Sequence, residues 1–148
     1  MLQSTLSIAL SHESLGLAIF QGPRLTFLEA HSLQAVPKSA EASAGFALRC
    51  IETFSPAVAV MQCPPNESPE IRAAILEVLR ASNRPLSEIP EQEVLASFGE
   101  PPIASKEELE LLMRVLFPQI PMKKLFLSCL DAVATGLHFE TKRLLATD

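Results

Sequence analysis

The chain has 148 residues, of which 48% are hydrophobic and 20% charged, and 12 Lys+Arg against 17 Asp+Glu give a formal net charge of -5. The apolar content and the lack of long charged runs exclude a mainly disordered chain, and the length suits one domain over residues 1 to 148. The apolar runs are far shorter than the ~20 residues that cross a bilayer, and the acidic balance disfavours a broad nucleic-acid surface, because phosphate contacts depend on Lys and Arg.

Three strands are predicted at the start of the chain. Apolar residues alternate with small or polar ones on either side of a polar break at residues 11–14, at Leu6, Ile8, Leu10, Leu15, Leu17 and Ile19. This alternation is typical of two half-buried strands in a hairpin. The turn signal Gln21-Gly22-Pro23-Arg24 then leads into a third run over residues 25–32. The pattern predicts three consecutive antiparallel strands.

The middle of the chain is predicted to alternate helices with strands. Residues 39–54 have apolar side chains at helical spacing, with Ser39 as the N-cap. Residues 57–61 are apolar on both faces, as a central parallel strand requires. Ser68-Pro69-Glu70 starts a second helix, because it combines a cap, a proline at the first helical position and a first-turn acid. Residues 85–89 are predicted to form an edge strand, where prolines are tolerated.

The rest of the chain is predicted to be helical. Residues 91–98 fit a short helix, and Ser105-Lys106-Glu107-Glu108 fits a capping box for a helix that stops at Pro118. A last helical segment is predicted within residues 128–143, and a start nearer Met122 is an open alternative. Three antiparallel strands followed by strands with crossover helices predict an α/β fold with a five-stranded mixed sheet and helices on both faces.

The number and spacing of the three cysteines indicate the redox state of the compartment in which the protein works. Cys50, Cys63 and Cys129 are odd in number and widely spaced, which favours reduced, buried thiols over a disulfide framework or a zinc site. The first ten residues also lack the basic start of a secretory signal. The sequence therefore predicts a cytoplasmic protein without a membrane partner.

The order of these elements and four local stretches resemble the RuvC family of Holliday-junction resolvases. The stretches are residues 71–79, Pro90 with Gly99 nine residues later, Ala104-Ser105-Lys106-Glu107-Glu108-Leu109, and Asp131-Ala132-Val133-Ala134. Their order and spacing carry the resemblance, which runs from Leu6 to about His138. It implies an RNase H-like fold with three α/β/α layers, and a dimer such as its relatives form.

The resemblance also implies a chemistry. Enzymes of this family cut the phosphodiester backbone with two metal ions, ~3.5 to 4 Å apart, which several converging carboxylates hold. The family supplies four acids, from the first strand, the end of the fourth strand, and two positions three residues apart on the last helix. In this sequence those positions fall at Ala9, Gln62, Asp131 and Ala134. Asp131 is then the single retained acid, and any metal bound through it would be held weakly.

Other polar residues are candidates for a residual binding site. Thr135 and His138 follow Asp131 by four and seven residues, so they share its helical face. With Gln62 they would line a pocket. Lys106 is a further candidate, because it is the basic residue that the family-like stretch retains.

Two other interpretations of Asp131 stay open. It could be a first-turn acid that stabilises the start of the last helix, with Ser128 as the cap of a Ser-x-x-Asp box. It could also belong to a metal site rebuilt from displaced acids, for which the candidates are Glu13, Glu67 and Glu70.

These observations support three functional hypotheses. The first is a catalytically inactive RuvC-like protein that acts as a binding or scaffolding protein linked to DNA recombination or repair, without a cofactor, as a homodimer or with a protein partner. The second is an active Holliday-junction endonuclease that uses Mg²⁺ or Mn²⁺ through relocated carboxylates. The third is a protein-interaction module without a nucleic-acid role, which the acidic charge favours.

Overall fold

The structure is a computed structural model that describes residues 3–11, 14–32, 39–63, 69–99, 101–120 and 127–146. The strands are β1 (Ser4–Leu10), β2 (Ser14–Gln21), β3 (Arg24–Ser32), β4 (Val58–Cys63) and β5 (Leu86–Pro90). The helices are α1 (Ser39–Phe54), α2 (Pro69–Ala81), α3 (Glu91–Ala96), α4 (Lys106–Leu116) and α5 (Leu127–Ala146).

The five strands form one mixed sheet in the order β3-β2-β1-β4-β5. The pairs β1 with β2 and β2 with β3 are antiparallel, whereas β1 with β4 and β4 with β5 are parallel. The parallel pairs follow from the helices α1 and α2, which return the chain to the same end of the sheet before each new strand. The predicted mixed sheet, with β5 at its edge, is confirmed.

Each face of the sheet carries its own apolar cluster, because side chains alternate along a strand. Leu6, Ile8 and Met61 lie on the face that α1 and α2 cover. Ala9 and Val60 lie on the opposite face, which α4 and α5 cover. The predicted three-layer α/β/α arrangement is therefore confirmed.

The start of α4 follows from the capping signal in the sequence. The Ser105 hydroxyl accepts a hydrogen bond from the backbone N–H of Glu108, with a nitrogen to oxygen distance of 3.2 Å. The Glu108 carboxylate accepts one in return from the N–H of Ala104, also at 3.2 Å. These contacts satisfy donors that a helix start leaves without intrahelical partners, so the position of Lys106 in the first turn is well determined.

Helix α5 approaches β2 closely because glycines line the contact. A Cβ added at Gly16 would lie 2.8 Å from the backbone nitrogen of Cys129. A Cβ added at Gly136 would lie 2.7 Å from a ring carbon of Phe20. Real Cβ atoms do not approach other heavy atoms so closely, and glycine is used where two backbones must come together.

Buried polar contacts fix α5 along β1. The Ser7 hydroxyl donates to the carbonyl oxygen of Ala132 at 2.6 Å. About two helical turns further on, the fully buried carboxylate of Glu140 accepts from the Thr5 hydroxyl and, at 2.5 Å, from Arg143. These bonds set the register of α5 because an unpaired polar group in the interior costs free energy.

Two of the three cysteines are buried and free, as predicted. Burial raises the pKa of the Cys50 and Cys129 thiols to about 11, so both are poor nucleophiles at neutral pH. The side chain of Cys63 lies outside the described residues. None of the described helices is both long and apolar enough to span a membrane.

We expect Gly16→Ala to lower the free energy of unfolding by about 3 kcal/mol or more, because the new methyl group meets helix backbone that cannot rotate away. Gly45→Ala is the matched control, since a Cβ at this exposed helical position meets nothing within 4 Å. It should stabilise the protein by about 0.5 to 1 kcal/mol. Urea unfolding of both variants measures the difference, and equal stabilities would contradict the close packing of α5.

Candidate functional site

The candidate site lies where the carboxyl ends of β1 and β4 meet under α5. The two strands are parallel, with Ile8 beside Met61, so the next residues along them, Ala9 and Gln62, are neighbours. Ala9 packs in the same apolar cluster as Val60, two residues before Gln62. The pleat therefore turns Ala9 and Gln62 towards the helix that carries Asp131.

Asp131 is the carboxylate at the centre of this site. Its side chain is 13% exposed, and its Oδ1 accepts a hydrogen bond from Lys106 Nζ at 2.6 Å. The side-chain amide of Gln62 also lies close enough to favour the charged form of this carboxylate. The structure thus brings three of the candidate residues, Gln62, Lys106 and Asp131, together.

Lys106 joins Asp131 to a second carboxylate. Its ammonium group, 33% exposed, also donates to Glu91 Oε2 at 3.1 Å. Lys106 opens α4, Glu91 opens α3 directly after β5, and Asp131 lies in α5. One ammonium group therefore links three helices at one end of the sheet.

The electrostatics of the site reflect partial burial and this shared cation. Burial raises the pKa of Asp131, with a smaller push from Glu91, and the contact with Lys106 opposes this rise without cancelling it. Burial alone would lower the pKa of Lys106, but hydrogen bonds and charge from Asp131 and Glu91 raise it on balance. Lys106 is therefore an ammonium ion at neutral pH.

The polar stripe further along α5 has a different partner from the one expected. The Nε2 atom of His138 lies 2.6 Å from Glu93 Oε2, and Lys142 Nζ lies 3.4 Å from the same oxygen. The hydrogen bond with His138, with help from Lys142, lowers the pKa of Glu93. Thr135 is fully buried, and its hydroxyl has no hydrogen-bond partner among the described residues. His138 therefore contacts α3 instead of Gln62.

The interpretation of Asp131 as a first-turn acid is wrong. Helix α5 already includes Leu127, which places Asp131 in its second turn, where the helix dipole contributes little. The Ser128 hydroxyl contacts the Ser14 hydroxyl of β2 instead of capping the helix. The pKa of Asp131 is governed by burial and by Lys106 instead.

The remaining candidate positions that the structure describes, Ala134 and Glu70, do not add an acid to the site. Ala134 is buried in the apolar cluster beneath α5. Glu70 lies in the first turn of α2, on the other face of the sheet. Glu13 and Glu67 lie outside the described residues. That Ala9, Gln62, Asp131 and Ala134 occupy the acid positions of the resolvase family stays a prediction.

A two-metal centre does not fit the residues present. Within residues 3–11, 14–32, 39–63, 69–99, 101–120 and 127–146, no three His, Cys, Asp or Glu side chains are grouped so that they could hold a metal ion. Ala9 offers no ligand atom, Gln62 is neutral, and Asp131 already binds an ammonium group. Paired divalent ions require several anionic oxygens, because the ions repel each other.

Sequence reasoning did not identify Glu91 or Glu93 as partners of the candidate residues. Glu91 contacts Lys106 from 15 residues away, and Glu93 contacts His138 from 45 residues away. One signal was available, because both acids follow a predicted edge strand whose carboxyl end lies at the same end of the sheet as that of β4.

The strand order and the layers define an RNase H-like α/β fold. No protein-family model and no curated protein matches the sequence. Among solved structures, the chain is similar to Thermus thermophilus RuvC in complex with a Holliday-junction substrate, with a TM-score of 0.73 and 18% identity over 96% of each chain.

Two further resolvases share this fold. The Fowlpox virus resolvase in complex with Holliday-junction DNA has a TM-score of 0.66 and 12% identity, over 93% of this chain and 99% of that one. The yeast mitochondrial Holliday-junction resolvase Ydc2 has a TM-score of 0.64 and 10% identity, over 96% and 82% of the two chains. The resemblance to RuvC-like resolvases is confirmed for the fold, which is what similarity at such low identity establishes.

We expect Lys106→Met to lower the free energy of unfolding by about 1 to 3 kcal/mol, because it leaves the half-buried carboxylate of Asp131 without its cation. This value is below that of a fully buried pair, since one third of Lys106 is exposed to screening solvent. A double-mutant cycle with Asp131→Asn isolates the pair. The exposed pair Arg80 and Glu77 is the control, with a coupling of at most about 0.5 kcal/mol. Equal couplings would contradict the site geometry.

Proposed function

We propose that this chain is a catalytically inactive relative of the resolvases, which acts as a scaffolding protein in DNA recombination or repair. The observation that carries the proposal is the state of Asp131. Asp131 contacts Gln62 and the Lys106 ammonium group, and Ala9 lies beside Gln62 on the neighbouring strand. Metal-dependent phosphodiester cleavage needs several converging carboxylates instead. The fold is similar to that of a resolvase over nearly the whole chain, which supports the relationship that the proposal assumes.

We further propose that the scaffold acts through protein contacts, as a homodimer or with another protein, and not through phosphate contacts. The net charge is -5, and many described basic side chains are already paired with acids of the same chain. The paired cations are Arg49, Arg72, Arg80, Lys106, Arg114, Lys142 and Arg143. A phosphate backbone would have to compete with these carboxylates, so the counterion release that drives nucleic-acid binding would be small.

The first test is calorimetric titration of Mn²⁺ into the purified protein, beside Asp131→Ala. Mn²⁺ is the more permissive probe because it generally binds oxygen sites at least as well as Mg²⁺. We expect no saturable binding up to millimolar Mn²⁺ in either protein and no cutting of four-way junction DNA. Saturable binding that disappears in Asp131→Ala, together with cutting of the junction, would establish the alternative of an active nuclease with relocated carboxylates.

The second test measures the binding of a labelled four-way junction as a function of salt. We expect no dissociation constant below about 1 μM at 150 mM salt, because non-specific binding alone gives values of about 10⁻⁴ to 10⁻⁶ M. A duplex of the same length is the control. Tight, salt-sensitive binding that prefers the junction would show that the scaffold contacts DNA, and would contradict its action through protein contacts alone.

A further inference from the structure

The oxygens around Lys106 outline a position for a cation. Its Nζ atom lies 2.6 Å from Asp131 Oδ1 and 3.1 Å from Glu91 Oε2, and the side chain of Gln62 contacts the same Asp131 carboxylate. The four side chains come from α4, α5, the start of α3 and the carboxyl end of β4. Glu91 adds a second acid beside Lys106. It comes from α3, which supplies none of the four acids that the resemblance to the RuvC family implies.

We propose that the Lys106 ammonium group is the resident cation of this site, and that it takes the place of a divalent ion and prevents one from binding. The inference rests on the proposed function, in which the carboxylate cluster has been reduced to Asp131. The inference adds that the site is occupied by a positive charge that the chain itself supplies.

The first argument is electrostatic. Asp131 and Glu91 are close enough for the charge of Glu91 to raise the pKa of Asp131, so the two carboxylates repel each other without a cation between them. Lys106 bonds to both and neutralises part of this repulsion. A lysine or a divalent ion can play this part, since either places positive charge between two acids.

The second argument concerns competition. Lys106 is the first residue of α4, and the capping contacts of Ser105 and Glu108 hold the start of this helix in place. A group held so close to its partners is present at a high local concentration, whereas a free ion must displace it from solution. Mg²⁺ must also shed part of its hydration shell to enter, which it does reluctantly.

The test converts the site with conservative changes. Gln62→Glu adds a third carboxylate with nearly the same shape, and Lys106→Met removes the ammonium group while keeping an unbranched apolar chain. The double variant then presents Asp131 and Glu91 around the position that Nζ holds, with the third carboxylate beside Asp131. A shift of about 0.5 to 1 Å would bring the Asp131 and Glu91 oxygens to the distances of about 2.1 Å at which divalent ions bind.

The experiment compares Mn²⁺ titrations of Gln62→Glu, Gln62→Glu/Lys106→Met and Gln62→Glu/Lys142→Met. The last is the matched control, because it removes the same charge from an exposed lysine that bonds to Glu93. We expect Gln62→Glu/Lys106→Met to bind Mn²⁺ at one site at least tenfold more tightly than the other two. Its midpoint of thermal unfolding should rise with millimolar Mn²⁺, whereas those of the other two should not.

The outcomes separate this inference from the proposed function. Equal or absent Mn²⁺ binding in the three variants would overturn the role of Lys106 and leave the proposed function standing. Saturable Mn²⁺ binding in the unmodified chain that disappears in Asp131→Ala would overturn this inference, and it would overturn the proposed function as well if the protein also cuts junction DNA. If circular dichroism shows that Lys106→Met prevents folding, Gln62→Glu/Lys106→Gln replaces the double variant, because the glutamine keeps hydrogen-bonding capacity and lacks the charge. The same tenfold gain is then required.

Discussion

The close packing of α5 on β1 and β2 is the constraint on which the site depends. Gly16 and Gly136 leave room for the helix and the strands to touch, and the bond from Ser7 to the Ala132 carbonyl fixes how far α5 is shifted along β1. This register brings Asp131 to the end of β4, where Gln62 and Lys106 meet it. A shift of one helical turn would move the carboxylate by about 5.4 Å and break every contact of the site.

Charge pairing then determines where α3 lies. This helix has six residues, too few to be stable on its own. Its two acids contact the neighbouring helices, because Glu91 bonds to Lys106 of α4 and Glu93 bonds to His138 and Lys142 of α5. Val94, directly after Glu93, is fully buried in the apolar cluster beneath α5. The ionic contacts at one side and the apolar anchor at the other together hold α3 against α5, and Lys106 therefore has a structural role as well as a place in the site.

The fold could be predicted from the sequence because its signals are short-range. The alternation through Leu6 and Ile8, the Ser105 cap and the proline at the start of α2 each involve residues within one element. The site depends on contacts that no local pattern reports. The partner of His138 lies 45 residues away, and the sequence leaves the start of α5 open between Met122 and Ser128, so it does not decide in which turn Asp131 lies. The sequence pattern predicts which residues share a face of a helix or strand. Which of these faces pack against each other is known only from the tertiary structure.

The same separation would allow a resolvase fold to persist without resolvase chemistry, as the proposed function requires. The sheet and its helices are held by apolar residues on both faces, and site residues contribute little to that packing. Ala9 is nearly inaccessible and packs within the apolar cluster, where a carboxylate would need compensating charge to be tolerated. If the proposed function is right, the loss of an acid at such a position would relieve an electrostatic cost, and Lys106 would neutralise part of the charge of Asp131. Stability would then favour the site in its present state, and selection for metal chemistry would have to act against it.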